Sequence, residues 1–257
     1  MRSVKAIFKK QFKDILKNPA VLIQFILYPF IAFVIDLIMV TDFNFEGIPE
    51  DITEMIMAGM PNMPNMVTMQ ASIFAGMGLI TTICGIIAED MDKKSLRFLT
   101  MAGVKPISYL MGVSGVIFFV SFLTSAAFGI IGGFTGLDLW IFTAAMMSAV
   151  VGSTVLGAIF GILAGNQQVA SALVLPVSVI LGFGPMMAQF NENIARYLHI
   201  VYTQQLNIVA DYLTIGGGDT PLWHSFGIMW ANVTVLGLLF VIVFRKKWLA
   251  SHFRKVR

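Results

Sequence analysis

Residues 66–88 read MVTMQASIFAGMGLITTICGIIA, a run of 23 residues without a charged side chain. A helix needs about 20 apolar residues to cross the roughly 30 Å of hydrocarbon in a bilayer, so this run predicts a transmembrane helix. Residues 89–109 follow as EDMDKKSLRFLTMAGVKPISY, in which acidic and basic side chains return abruptly. The change predicts that the chain leaves the membrane at Glu89.

The composition of the whole chain indicates the same environment. Its 257 residues are 57% hydrophobic and 12% charged, whereas soluble domains carry about 25% charged residues. At half that level a water-facing surface cannot be covered with polar groups, so most apolar side chains must face lipid. We predict an all-α integral membrane protein with six transmembrane helices in a single domain, 1–257, in which Gly136 and Asp138 divide the third span from the fourth. The predicted spans are residues 20–40, 66–88, 110–133, 139–164, 169–188 and 222–244.

The basic residues test this count. Of the 17 Lys and Arg, six precede the first span, four lie in 93–105 and six follow the last span, so six spans put all of these on one side. The opposite side keeps only Arg196, together with nine acidic residues. Because Lys and Arg favour the cytoplasmic side, both termini are predicted to be cytoplasmic.

The segment 4–17 shows a helical pattern with an apolar and a basic face. Phe8, Phe12 and Leu16 fall on one face at helical spacing, and Lys13 lies on the other. The segment is too short and too charged to cross the membrane, so we predict an amphipathic helix in the cytoplasmic interface, with its lysines near anionic lipid. It serves either as a plain membrane anchor or as a docking surface for a partner.

The charged segment after the second span carries signals for a short helix of its own. Asp92 is placed as an N-cap, and Gly103 and Pro106 stop the helix. A loop that only joined two spans would not need such signals, so 91–102 is predicted to be a cytoplasmic helix that a partner grips. Its apolar contact residues are predicted to be Leu96, Phe98 and Leu99, set among basic residues.

These features together resemble ABC-2 type permeases. In that family a basic amphipathic helix ends in Asn-Pro, and the second span is followed by roughly Glu-x-x-x-Gly-Thr-Leu-x-x-Leu-x-x-x-Pro-Val-Ser. Here Asn18-Pro19 ends the first helix, while Lys94 stands where glycine is usual and Gly103-Val104 stands where a first proline often does. The positions that match the loop pattern are Glu89, Ser95, Leu96, Leu99 and Pro106-Ile107-Ser108.

The resemblance implies a role for each segment outside the spans. Segment 91–102 would be the coupling helix that fits a groove on a separate ATP-binding subunit, and 1–19 would be the connecting helix beside it. Residues 189–221 would form a re-entrant outer segment between spans five and six, because 194–213 is too polar to span but apolar enough to dip into the interface. The residues implied are Glu89, Asp92, Lys93, Lys94, Ser95, Leu96, Arg97, Phe98 and Leu99 in coupling, and Phe8, Phe12, Lys13 and Leu16 in the connecting helix.

The resemblance also implies partners. Two permease chains, identical or sisters, would form the pathway between them in a bacterial cytoplasmic membrane, with ATP and Mg²⁺ bound on the ATP-binding subunit. The sequence contains no Gly-x-x-x-x-Gly-Lys-Ser/Thr, no His-Glu-x-x-His and no paired carboxylate motif. We therefore predict no catalytic, cofactor or metal site in this chain, no enzymatic activity of its own and no nucleic-acid partner. The histidines His199, His224 and His252 are scattered along the sequence.

Polar side chains inside the predicted spans are candidates for lining a pathway. Ionisable groups at membrane depth are expensive and often functional. Asp36 lies about four residues from the outer end of its span, however, where its carboxylate can reach the interface instead. The uncharged candidates can equally make helix–helix hydrogen bonds. The candidates are Gln24, Asp36, Thr81, Thr82 and Asn232.

Two further patterns leave alternatives open. Methionines crowd 55–69, where their thioethers would either bind Cu(I) or form an apolar surface that contacts the interface or a cargo. In the fourth span, Gly157-x-x-x-Gly161 and Gly161-x-x-x-Gly165 indicate close helix packing, either within one chain or between two chains.

The favoured interpretation is the permease of an ATP-driven exporter whose cargo is a peptide or another hydrophobic or amphipathic compound. The rival is an ATP-independent membrane carrier, channel or scaffold, and a membrane enzyme is a third alternative. A carrier driven by protons or ions needs buried ionisable residues, for which Asp36 alone is thin support. Segment 91–102 separates the first two alternatives, because only the ABC interpretation explains it.

Overall fold

The computed structural model of the chain describes residues 8–9, 12–13, 18–42, 66–93, 106–217 and 220–253. Within these residues the regular structure is helical, and six helices are long and apolar enough to cross a membrane. The prediction of an all-α protein with six spans is confirmed, and two further short helices among the described residues are not spans. The helices are α1 (Pro19–Asp42), α2 (Met66–Asp92), α3 (Pro106–Ile131), α4 (Gly136–Ala164), α5 (Gln167–Phe190), α6 (Glu192–Leu198), α7 (Tyr202–Ile215) and α8 (Leu222–Phe253).

Short turns join α3 to α4 and α4 to α5. Gly133 and Gly136 have positive φ angles of 75° and 56°, which glycine adopts without steric cost. Asp138 lies in the first turn of α4, where its carboxylate faces the positive end of the helix dipole. At the other end, Gly165 has φ 74° and ends α4, and the side chain of Asn166 caps α5. These turns make α3, α4 and α5 antiparallel neighbours.

Two helices run beyond their predicted ends. The backbone N–H of Lys93 donates to the carbonyl of Glu89 at 2.9 Å, and its ammonium pairs with the Glu89 carboxylate. Asp92 is therefore the last residue of α2 rather than the N-cap of a separate helix, which corrects the predicted N-cap. Segment 91–102 lies mostly outside the described residues and stays a prediction. The i, i+4 pair and the continued backbone bonding explain the extension. Helix α8 likewise continues past 244 to Phe253.

Helices α2 and α4 form the centre of the protein, and α1 and α8 lie at its outside. In the apolar window of α2, 78% of the residues are buried, against 6% in α8. The exposed side chains of the outside helices are themselves large and apolar, for example Phe30 and Leu238. Such side chains suit contact with lipid, in which polar groups would be costly.

Glycines bring α4 into backbone contact with α2. A Cβ atom on Gly157 would lie 2.8 Å from the carbonyl oxygen of Ile80, and one on Gly161 would lie 2.9 Å from that of Cys84. Close approach of this kind is typical of glycines spaced four residues apart in membrane helices. The close packing predicted for Gly157 and Gly161 thus lies within the chain, whereas Gly165 ends the helix.

Helix α2 is not uniform along its length. Its first segment (Met66–Ile73) and last segment (Ile80–Asp92) are α-helical, and a π-helical turn (Phe74–Leu79, the π-turn) separates them. A Cβ atom on Gly76 would lie 2.4 Å from the carbonyl carbon of Leu181. The backbone of α5 therefore packs directly on the π-turn.

Helices α6 and α7 form a hairpin after the fifth span. The side chain of Asn191 accepts the backbone N–H of Asn193 at 3.0 Å and caps α6. Leu198, at the other end of α6, packs where Gly184 of α5 has no side chain, so α6 runs back beside α5. Helix α7 then returns and ends at Gly216, whose φ is 76°. The predicted outer segment 189–221 contains this hairpin.

Candidate functional site

The residues implied in coupling lie partly inside the described structure. Glu89 and Asp92 occupy the last turn of α2, and Lys93 follows them. The side chains of Lys93 and Glu89 are 65% and 36% exposed, so this end of α2 faces outward from the helix bundle. The rest of the predicted coupling residues lie outside the described residues: Lys94, Ser95, Leu96, Arg97, Phe98 and Leu99.

The four described residues of the N-terminal segment pack on α3 with one face. The ring of Phe12 stacks on that of Phe8 at a centroid distance of 6.1 Å and meets Phe119 edge-on at 6.2 Å. The ring of Phe8 also occupies the space beside Gly115 of α3. Lys9 and Lys13 are helical and exposed. This arrangement agrees with the amphipathic pattern, and Leu16 lies outside the described residues.

Two of the candidate pathway residues bond to each other. The hydroxyl of Thr82 in α2 donates to the side-chain oxygen of Gln24 in α1. Thr82 is buried and Gln24 is half-buried. In this conformation the pair is a helix–helix hydrogen bond, which is one of the two alternatives for these residues.

The neighbouring Thr81 bonds to the π-turn of its own helix. Its hydroxyl lies 2.7 Å from the carbonyl oxygen of Met77 and 3.0 Å from that of Gly78. The hydroxyl of Thr82 is also 2.7 Å from the Gly78 carbonyl. A π-helix replaces the usual i+4 bonds by i+5 bonds, and the Thr81 hydroxyl donates to a carbonyl of this irregular turn. The single proton of the Thr82 hydroxyl is used on Gln24, so its contact with the Gly78 carbonyl is secondary.

The other two candidates lie elsewhere. Asn232 of α8 donates through Nδ2 to the carbonyl oxygens of Ile200 and Ile228, at 2.7 and 2.8 Å. It thereby ties α8 to the turn between α6 and α7. Asp36 is half-buried in α1, twelve residues along the helix from Gln24, which corresponds to about 18 Å.

A buried polar junction joins α2, α4 and α7. The hydroxyl of Ser153 in α4 donates to the carbonyl of Ala75 in the π-turn at 2.6 Å, and the Tyr202 hydroxyl lies 3.0 Å from Ser153 Oγ. Because Ser153 uses its proton on Ala75, Tyr202 donates to Ser153. A Cβ atom on the adjacent Gly152 would lie 3.4 Å from the Tyr202 ring, so the ring packs against this part of α4. Ser153 and Tyr202 are 0% and 2% exposed, so the junction lies in the core.

A second polar contact lies on the first segment of α2. The Ser72 hydroxyl donates to the side-chain oxygen of Asn207 in α7 and is 3.5 Å from the carbonyl oxygen of Thr203. All three residues are buried. Sequence reasoning did not single out these residues, although Thr203 and Asn207 share the i, i+4 spacing of one helix face. The same reasoning also missed Ser153 and Tyr202.

The described residues contain no group of three or more His, Cys, Asp or Glu side chains that could hold a metal ion. His199 and His224 are not scattered in space, because their ring centroids lie 6.0 Å apart. Of the methionines in 55–69, Met66 and Met69 are described, and Met69 packs in the core. The other methionines of the copper alternative lie outside the described residues.

Comparison with known proteins agrees with this architecture. The family model described as ABC-2 type transporter matches residues 2–203, which run from the N-terminal segment to the start of α7. No curated protein matches the chain. The match covers more than half of the chain and includes five of the six spans. The chain belongs to the ABC-2 type transporter family and is a multi-pass membrane permease of that family, a transmembrane component that is not itself catalytic.

Proposed function

We propose that the chain is the permease of an ATP-driven exporter, in which two permease chains form the pathway and ATP-binding subunits dock on segment 91–102. The observation that carries the proposal is the course of α2. This helix is the most buried of the six spans, and its last segment leads directly into 91–102. A displacement of that segment would reach the centre of the protein through one rigid element.

The orientation follows from charge. With six spans, the three basic segments share one side, and we propose that this side is the cytoplasm of a bacterium. The N-terminal segment then acts as the connecting helix, with Phe8 and Phe12 on α3 and with exposed Lys9 and Lys13 available to a partner or to anionic lipid. ATP and Mg²⁺ belong to the partner subunit.

We propose that the α6–α7 hairpin is re-entrant on the opposite side. Two contacts support this. The carbonyl of Ile200, at the tip of the hairpin, bonds to Asn232, roughly three turns into α8. Tyr202 reaches Ser153 in the interior of α4. Both contacts support a tip that lies well inside the ends of the spans.

The cargo is proposed to be apolar or amphipathic, with a peptide as one example. The spans carry few charged side chains, which suits such a cargo better than a sugar polymer. Gln24, Thr82 and Asn232 supply the uncharged polar groups.

The test is recovery of the partner. The chain is purified from its native membranes in mild detergent, and co-purifying proteins are identified by mass spectrometry. We expect a P-loop ATPase at about one copy per permease, and loss of that ATPase from Leu96→Asp and Leu99→Asp. Ile215→Asp adds the same charge at an exposed residue of α7 and serves as the control, which keeps the ATPase. No ATPase, even after cross-linking through 91–102, would favour the ATP-independent carrier, channel or scaffold.

A further inference from the structure

One face of α7 is polar and fully buried against the first segment of α2. Thr203 and Asn207 stand one helical turn apart on this face, where Ser72 of α2 bonds to Asn207. Thr68 lies one turn before Ser72 in α2. All four side chains are between 0% and 1% exposed. The bonded Ser72–Asn207 pair and the Thr203 hydroxyl therefore lie between two helices with no access to solvent.

Two donor atoms in this group are left without a partner among the described residues: Thr203 Oγ1 and Asn207 Nδ2. The Ser72 hydroxyl bonds to the oxygen of the Asn207 amide, so the amide nitrogen of Asn207 is the end that remains. An unpaired donor in an apolar interior is expensive, and more so where the surroundings are lipid.

The Thr203 hydroxyl lacks the backbone bond that other buried hydroxyls in the helices make. Buried hydroxyls in the spans usually donate to the carbonyl four residues earlier, as Ser148 and Thr154 do at 2.9 and 2.7 Å. For Thr203 that carbonyl belongs to His199, which precedes α7 and already accepts the side-chain N–H of Gln205. The Thr203 hydroxyl makes no bond to that carbonyl.

We propose that Thr203 Oγ1 and Asn207 Nδ2 form a binding site for a neutral acceptor oxygen between α2 and α7. Two N–H or O–H donors from one helix face fit a single carbonyl, hydroxyl or water oxygen. Ser72, Thr203 and Asn207 are uncharged, so they offer no positive charge to balance a carboxylate or phosphate in this buried place. The oxygen comes either from bound water or from an amide carbonyl of the cargo. The carbonyl source rests on the proposed export function, whereas the water source does not.

The test is the sign of a stability change. Thr203→Val keeps the shape of the side chain and removes the donor. The full-length protein is purified, washed free of cargo, and unfolded thermally with and without N-acetyl-leucine amide, a neutral probe with two amide carbonyls. If water fills the site, the variant melts about 2–4 °C below the wild type without the probe, which corresponds to one buried hydrogen bond in a protein of this size.

If a cargo carbonyl fills the site, the washed variant is at least as stable as the wild type, and the probe raises the melting temperature of the wild type alone. The proposal is overturned if the variant is at least as stable as the wild type in both conditions, because removing an unpaired donor then only relieves a desolvation penalty.

Two further variants serve as controls for this result. Thr154→Val removes a hydroxyl whose partner is its own helix, and the drop in Thr203→Val must exceed the drop in this control. Thr203→Ser retains the donor and is expected to behave as the wild type. Retention of the ATPase is measured on the same preparations. A missing ATPase contradicts the export function and leaves the water result standing, whereas a retained ATPase with no effect of Thr203→Val contradicts the site alone.

Discussion

The two ends of α2 are held in place in different ways. The last segment packs on α4 through its backbone, where Gly157 and Gly161 leave no room even for a Cβ atom beside the carbonyls of Ile80 and Cys84. The first segment meets α7 through polar side chains, of which Ser72 is the centre. The π-turn separates these two segments of α2, and Ser153 of α4 bonds to it.

This difference indicates which part of α2 can change its contacts. Within a membrane, helices associate through close packing and hydrogen bonds, since lipid supplies no hydrophobic drive. The contact of Gly157 and Gly161 with α2, the glycine seam, packs closely in one arrangement only, and added atoms disrupt it. A hydroxyl or an amide can exchange one partner for another of similar energy. We therefore expect the last segment, which leads into 91–102, to be rigid and the first segment to be adaptable.

The largest effect is expected at the glycine seam. Gly161→Ala places a methyl group 2.9 Å from the Cys84 carbonyl and from Ile87, so the helices must separate. We expect a loss of about 2–3 kcal/mol in the free energy of unfolding, measured by denaturation in detergent. Gly85→Ala is the matched control, because its methyl group meets nothing within 4 Å. That control should gain about 0.5–1 kcal/mol from lower chain entropy in the unfolded state. Equal losses in both variants would contradict a rigid seam.

The second effect is expected at the junction on the π-turn. Ser153→Ala leaves the Ala75 carbonyl and the Tyr202 hydroxyl without their shared partner, and should cost about 1–2 kcal/mol in unfolding free energy. Ser148→Ala on the same helix loses only a bond to its own backbone and should cost less. A double-mutant cycle with Tyr202→Phe should give a coupling of about 0.5 kcal/mol or more. Additive losses would mean that Tyr202 does not act through Ser153.

Much of the fold could be predicted from the sequence, because lipid imposes a length and a composition on every span. The division of 110–164 into two helices followed from Gly136 and Asp138. The π-turn and the partners of its carbonyls could not be predicted, because they depend on which helices meet at Ala75 and Ser153, far apart in the chain. The end of α2 was misplaced because Asp92 has the chemistry of an N-cap, whereas the Glu89–Lys93 pair favours a longer helix.

The candidate site was predicted only in part. Gln24 and Thr82 were singled out as polar residues in apolar runs, and the structure brings them together. The face of α7 that carries Thr203 and Asn207 was missed, because α7 is no span and its polar residues look ordinary for a loop. Their burial is a property of the tertiary packing, not of the local sequence.

A smaller effect is expected at the tip of the hairpin. Asn232→Ala removes the side-chain bond to the Ile200 carbonyl and should cost about 0.5–1 kcal/mol in unfolding free energy. Hydrogen exchange should rise locally in residues 199–202 and not along the glycine seam. Thr234→Val, which loses a bond to its own helix only, should leave exchange at the tip unchanged. If exchange at the tip is unaffected in Asn232→Ala, then α8 does not hold the hairpin.

The smallest effect on stability is expected at the end of α2. Lys93→Gln breaks an exposed ion pair with Glu89, and the free energy of unfolding should change by no more than about 0.5 kcal/mol. Retention of the ATP-binding subunit during purification should nevertheless fall. Lys246→Gln, at an exposed residue of α8, should change neither quantity. Normal retention of the subunit by Lys93→Gln would remove Lys93 from the coupling surface.

The π-turn would allow one segment of α2 to rotate about the helix axis relative to the other. A helix that absorbs one additional residue advances by about 1.5 Å and rotates by about 100°. If the π-turn closed into an α-helical turn, the first segment would make that quarter-turn relative to the last, and Ser72 would face away from Asn207. A displacement of 91–102 would then rotate the first segment of α2 about the helix axis in single-residue steps. It would not simply shift that segment along the axis.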